Sequence, residues 1–277
     1  MRDRRFDITA PGAIGHAGRG IVLAYVGLLV VLPLAAIVVR AIDGGFGAFV
    51  AAITADEAKD ALLLSFGTSF VTALIQSVLG TATAFLLVRT QFRGKKFLSA
   101  LVDLPLAMPT LIAGVMLVLL FGPGSPLGRF LSSHGVEVVY TRTAIVLALL
   151  FVTFPFVVRA VEPVLLELDP AEEEAAKTLG AGPFLTFRSV IFPAIAGAAL
   201  SGSIRSFARA LAEFGSLVVV SGNVPHDTLT APVQIFGSLE SGRTDSAVAV
   251  SLVILAVAAV VVGSARFVER RLGDRHG

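Results

Sequence analysis

The sequence predicts an all-α, polytopic membrane protein with six transmembrane helices, and three observations carry that prediction. Of 277 residues, 55% are hydrophobic and only 15% charged, and the mean hydropathy is +0.86, too apolar for a domain solvated by water. Apolar runs recur along almost the whole chain, each near the roughly 20 residues that a helix needs to cross a bilayer. The basic residues fall unevenly between the intervening loops, as a fixed membrane topology demands.

In chain order, residues 1–20 read as a tail and the first span covers 21–39. That span is too long for the apolar part of a cleavable signal, and Arg40 follows it where a small-residue cleavage site would stand. The second span, 62–88, is long enough to tilt or to begin outside the hydrocarbon. The third covers 105–121; Pro105 and Pro109 are expected to break it, with the Asp103 carboxylate satisfying the amides so freed. The fourth, 143–158, is short, so its helix is expected to extend past both ends.

Residues 169–193 then form a polar loop with its own local signals. Asp169 can cap a helix, Pro170 suits the first helical position, Glu172 lies three residues after the cap, and Gly180 suits a left-handed stop. Glu172, Glu173 and Glu174 complement the dipole, and Glu173 with Lys177 makes a favourable i,i+4 pair. A second short helix is expected from Pro183, with Phe184, Phe187 and Ile191 on one face, until Pro193 interrupts it. Helices this short are marginal alone, so a membrane surface or a protein partner must hold them.

The fifth span, 194–220, carries Ser201, Arg205, Arg209 and Glu213 at intervals of four, which predicts one helical face. Beside it runs a stripe of small residues, Ala194, Ala198, Gly202, Ser206 and Ala210, which permits close helix packing in lipid. Charges at this depth must face the bundle interior or water. Two readings stay open: a gate or pathway wall, or an Arg209–Glu213 pair that only fixes packing. Gly222, Asn223 and Pro225 read as an external turn, the sixth span covers 246–265, and residues 266–277 form a second tail.

With the N-terminus inside, fifteen Lys and Arg residues face the cytoplasm and five face outward, while Arg205 and Arg209 lie in or near the fifth span. Both termini are therefore expected to be cytoplasmic. The same distribution argues against a nucleic-acid partner despite a net charge of +2, because the basic residues flank apolar spans. Cysteine is absent, and His16, His134, His226 and His276 are not spaced as a metal set. No GxxxxGK[ST] loop occurs, so the chain has no such device for cradling ATP phosphates. A membrane-embedded enzyme would need a nucleophile, metal or base constellation at membrane depth, and a secondary transporter would need interrupted helices in both halves. Neither pattern is evident.

Glu174-Ala175-Ala176, then Gly180 after three residues, then Val190-Ile191-Phe192-Pro193 after nine more, resembles the EAA loop of bacterial ABC-importer permeases. Val190 and Phe192 are mild departures from that pattern. "LSFGTSFVTALI", "LVDLPLAMPTLIAG", "FPFVVRAVEPVL" and "FARALAEFGSLVVVSGNVP" are similar, in order, to segments of the T-type permease of sulfate and thiosulfate importers. The resemblance covers about residues 60–265. It implies a type I importer permease domain over 21–265, with cytoplasmic tails at 1–20 and 266–277 and an ATPase-coupling loop at 169–193. It implies that Glu174, Ala175, Ala176, Gly180 and Phe184 dock on an ATPase; Ser201, Arg205, Arg209 and Glu213, from the charged face alone, are the candidates for a pathway or gate. The implied partners are a W-type permease, two ATPase copies that hold ATP and Mg, and an extracytoplasmic sulfate-binding protein, all at a bacterial cytoplasmic membrane. Molybdate or tungstate is the alternative solute.

Overall fold

A computed structural model describes residues 13–273, with side chains described for 18–264. Among the described residues every regular element is helical: α1 (Ala13–Val26), α2 (Leu32–Asp43), α3 (Gly45–Thr54), α4 (Asp56–Arg89), α5 (Lys95–Ala107), α6 (Thr110–Phe121), α7 (Pro126–Ser133), α8 (Arg142–Glu167), α9 (Pro170–Thr178), α10 (Pro183–Thr186), α11 (Phe192–Leu211), α12 (Gly215–Val220), α13 (Ala231–Glu240) and α14 (Thr244–Gly273). Five helical stretches are long and apolar enough to cross a bilayer, and a bent pair, α5 with α6, makes up to six. The first of these stretches starts inside the segment expected to be a tail, since α1 begins at Ala13. Residues 1–12 and 274–277 of the two expected tails lie outside the described residues.

The centre is made of α4, α8 and α11. Along α4 the buried positions Ala58, Ala61, Ser65, Ser69, Thr72, Gln76, Gly80, Ala84 and Leu87 recur at helical spacing, so one stripe faces its neighbours while Leu63, Phe70 and Val78 face outward. Most of these buried residues are small, which is how helices approach closely in lipid. Gly80 lies against Val157 of α8, and Gly202 of α11 lies against Val157 and Ala160. Val157 is thus held between two glycines, and the cluster around it includes Ala84, Leu87, Val161, Leu165 and Ile195. The 34 residues of α4 span about 51 Å against roughly 30 Å of hydrocarbon, so its ends project beyond the apolar layer. The first stretch packs on α14 through α2, as does α3 after it, and its most apolar part has no buried residue, as expected of a helix facing lipid at the periphery.

Three expectations are corrected. Pro105 lies inside α5, and the break falls at Met108, extended before Pro109, with a bend of 115° between α5 and α6. Pro193 interrupts nothing: a π turn, Phe187–Ile191, joins α10 to α11, Phe192 N–H donates to the Phe187 carbonyl, and Pro193 falls in the first turn of α11, where no amide is needed. The fifth span ends at Leu211 instead of running to 220; α12 follows after a break, then α13. Gly215 packs against Thr110 and Gly114 against Ser216, so α6 and α12 start together and run side by side.

Candidate functional site: a capped short helix and a charged helix break

The 169–193 loop folds as its local signals dictate. Asp169 Oδ1 accepts from Ala171 N–H at 2.9 Å, and Pro170 begins α9. At the other end Ala181 N–H donates to the Ala176 carbonyl and Gly180 N–H to that of Lys177, the paired bonds of a Schellman stop. Gly180 has φ +86° with open space around it, so glycine is needed there for backbone conformation and not for room. Glu174, Ala175 and Gly180 are exposed and Ala176 is half-buried. Leu179 is 89% exposed and Phe184 76%, which leaves two large apolar side chains beside the helix without a covering neighbour. Glu173 does not pair with Lys177; it meets Arg89, the last residue of α4, at 2.6 Å.

The face expected of the fifth span is cut short: Ser201, Arg205 and Arg209 lie at intervals of four within α11, and Glu213 lies beyond its end. Ser201 is buried, Arg205 exposed and Arg209 half-buried, while Glu213 lies two residues beyond the end of α11 and is 1% exposed. Arg209 Nη2 reaches Glu213 Oε2 at 2.7 Å. The other oxygen, Oε1, accepts from Ser216 N–H and from Ser216 Oγ, both at 2.9 Å. Glu213 therefore does two things: it neutralises an arginine and caps the first turn of α12. A carboxylate with three donors is a satisfied group, which is how a charge is retained at this depth.

Two further clusters were not read from the sequence. Arg159 of α8 binds Asp103 of α5 through two nitrogens at 2.6 and 2.7 Å, donates to Ser99 twice at 2.9 Å, and pairs with Glu162. Asp103 thus satisfies a guanidinium instead of the free amides expected of it. At the opposite end of the molecule, His226 Nδ1 meets Asp60 at 2.7 Å and Arg142 meets Asp227 at 3.2 Å around a cavity of about 410 Å³. The hydrogen bond to Asp60 raises the His226 pKa above its ordinary value, and the charges of Asp60, Asp56 and Glu57 add to it. Gly222, Asn223 and His226 have positive φ, so the expected 222–225 turn is present, and Asn223 Nδ2 donates to the Val218 carbonyl to close it.

A helical bundle with apolar outer faces, internally satisfied charges and a capped helix held outside the spans is a multi-pass membrane protein. The chain belongs to the family described as binding-protein-dependent transport system inner membrane component, whose profile matches residues 76–274. It is a transporter component and not a catalytic enzyme.

Among curated relatives it is 38% identical over 242 residues to "Sulfate transport system permease protein CysT" of Synechocystis, covering 87% of this chain and 85% of that one. It is 36% identical over 256 residues to the protein of the same name from Salmonella typhimurium, covering 92% of each. The fold matches a bacterial ABC transporter involved in import of the acidic polysaccharide alginate, with TM-score 0.77, 17% identity and coverage of 93% and 95%. It also matches the MetNI methionine ABC transporter, with TM-score 0.58, 17% identity and coverage of 76% and 94%.

Proposed function

We propose that this chain is the transmembrane permease subunit of an ABC importer that carries sulfate and thiosulfate across a bacterial cytoplasmic membrane. The observation that carries the reading is α9: a helix of nine residues, capped at both ends, exposed, and flanked by uncovered Leu179 and Phe184, in a chain whose sulfate-permease relatives match about nine-tenths of its length. In this reading six helices span the bilayer, with α5 and α6 as one broken span, and both termini are cytoplasmic. The membrane domain covers 21–265 between cytoplasmic tails at 1–20 and 266–277. Glu174, Ala175, Ala176, Gly180 and Phe184 seat in a separate ATPase, which holds the ATP and Mg.

A W-type permease completes a heterodimer with two ATPase copies, and a sulfate-binding protein delivers solute outside. The groove of about 920 Å³ between α4 and α11, lined by Phe70, Phe85, Phe187, Phe192 and Phe207, supports a partner within the membrane. Ser201, Arg205, Arg209 and Glu213 belong to a gate, with the Arg209–Glu213 pair at the break between α11 and α12 as its closed element.

The test is reconstitution of the purified complex in vesicles with radiolabelled sulfate. The reading expects an ATPase to co-purify, ATP-dependent uptake, and competition by thiosulfate more than by molybdate. Gly180→Asp should abolish solute-stimulated ATP hydrolysis while leaving membrane insertion intact, because it loads a positive-φ position and puts a charge on the docking surface. Uptake without an ATPase, or molybdate preferred over sulfate, would overturn the reading.

A further inference from the structure

The coupling helix α9 is lightly held by its own chain. Its close neighbours are α10 and the π turn, short elements that follow it in sequence. Two of its contacts with the long helices lie one turn apart at the cytoplasmic end of α4, while the π turn that follows also seats Ile191 in the core beside α8 and α11. Arg89 Nη2 reaches Glu173 Oε1 at 2.6 Å, with the two side chains only 20% and 17% exposed. Phe85 meets Phe187 of the π turn edge to face, with ring centroids 6.1 Å apart. The first contact holds the helix before its glycine stop, and the second holds the segment after it.

Resting on the function proposed above, we infer that Arg89 and Glu173 form the tether through which movement of the coupling helix is passed to α4, with Phe85 and Phe187 as its apolar counterpart. Arg89 and Glu173 are positioning residues: neither touches solute nor ATP. The chemistry of the contact suits a pivot. Arg89 Nη2 meets Glu173 Oε1 at close range, both atoms buried, without the paired N–H···O bonds of a bidentate fork. Coulomb attraction between two such groups varies smoothly with angle, whereas a bidentate hydrogen bond does not, so α9 can rock without releasing α4. Burial makes the contact consequential, because removing one member strands the other in a poorly solvated place.

Glu174, the next residue, is exposed and points its function elsewhere. Two adjacent glutamates thus divide the work, Glu173 inward to the chain and Glu174 outward to the ATPase. The helix they share is then coupled on both sides. On its inward side it reaches α4, which packs along α8 and α11 through Gly80 and the buried stripe.

The test uses the full complex of both permeases, ATPase and binding protein in vesicles, comparing the parent with Arg89→Gln, Glu173→Gln, Arg89→Lys and the exchange Arg89→Glu with Glu173→Arg. The readout is the ratio of binding-protein-stimulated to basal ATP hydrolysis, which a purely structural contact would leave unchanged in assembled complexes. The expected result is a fall of about tenfold in that ratio for each neutral variant, inside the range that coupling energies span, with basal hydrolysis retained. Arg89→Lys and the exchange should recover most of it. Neutral variants that assemble and keep the parental ratio overturn the tether. Should they fail to assemble, the exchange decides: an assembled exchange with a parental ratio supports the tether, and one with a collapsed ratio overturns it. A parent complex whose hydrolysis ignores the binding protein overturns the functional reading itself, which no variant result alone can do.

Discussion

The Arg209–Glu213 pair gives the sharpest quantitative test, because the two members are buried to different degrees and one of them has a second task. Removing one partner of a buried pair costs about 3–5 kcal/mol. Arg209→Leu leaves Glu213 charged and 1% exposed with only the two donors of Ser216, and this belongs in that range. Glu213→Leu leaves Arg209 with a side chain 33% exposed, so its charge finds water more cheaply. It also strands the buried Ser216 amide, at about 1–3 kcal/mol.

The double variant with leucine at both positions removes the charges but not that orphan, so its recovery is partial. Arg209→Gln with Glu213→Gln keeps an oxygen for Ser216, gives the new amide nitrogen an acceptor on the residue where the guanidinium stood, and should recover further. The assay is the fraction of intact complex surviving a temperature series in detergent, read as a ranking since membrane complexes unfold irreversibly. Expected order is parent highest, then Gln/Gln, then Leu/Leu, with Arg209→Leu lowest. Sulfate uptake then separates a packing role from a gate: an intact Gln/Gln complex that transports is packing alone, and one that does not is a gate. Single variants that assemble and transport like the parent would refute the buried pair, and equal survival of Leu/Leu and Gln/Gln would refute the cap.

Gly202→Ala should lower the survival temperature by an amount corresponding to about 1–3 kcal/mol, since a Cβ there would lie 2.8 Å from the Val157 Cα and 2.9 Å from the Ala160 Cβ, while Gly67→Ala, in open space, should not. Around the outer cavity the prediction is one of pH. A histidine whose folded pKa is raised stabilises its loop fully below about 6.5, the unfolded value, and loses that contribution as pH rises through the higher folded value. Hydrogen-exchange protection of residues 222–229 should therefore fall between pH 6 and pH 8 in the parent. In His226→Gln it should show no such step, and an equal step in both would contradict the assignment.

What could be read from the sequence was what is encoded locally. Asp169, Pro170 and Gly180 specify α9 within a dozen residues, and each acts as its residue type dictates. The apolar runs were legible because hydropathy is a property of the segment itself. Partners distant in sequence were not: the i,i+4 rule gives Glu173 to Lys177, but α4 ends beside α9 and Arg89 takes it. Asp103 finds Arg159 in the same way, 56 residues on. The break after Leu211 was hidden because Ala212-Glu213-Phe214 contains neither glycine nor proline. It forms because a side chain, Glu213, takes over the Ser216 amide that a continuing helix would have bonded differently.

One physical rule connects the charges that were placed and those that were missed. Asp103 sits one turn before the break at Met108, Glu213 sits within the break between α11 and α12, Arg89 ends α4, and Arg159 lies between the two prolines of α8, Pro155 and Pro163. A regular helix in lipid satisfies its own backbone and offers a charge nothing, so an ionised side chain there meets only hydrocarbon. A break or an end frees amides and carbonyls, and admits a second helix end close by. The same irregularity that costs backbone hydrogen bonds thus supplies the donors that make a buried carboxylate tolerable, as Ser216 does for Glu213. Charge and break stabilise each other, which is why these four charges lie where helices end, bend or carry proline.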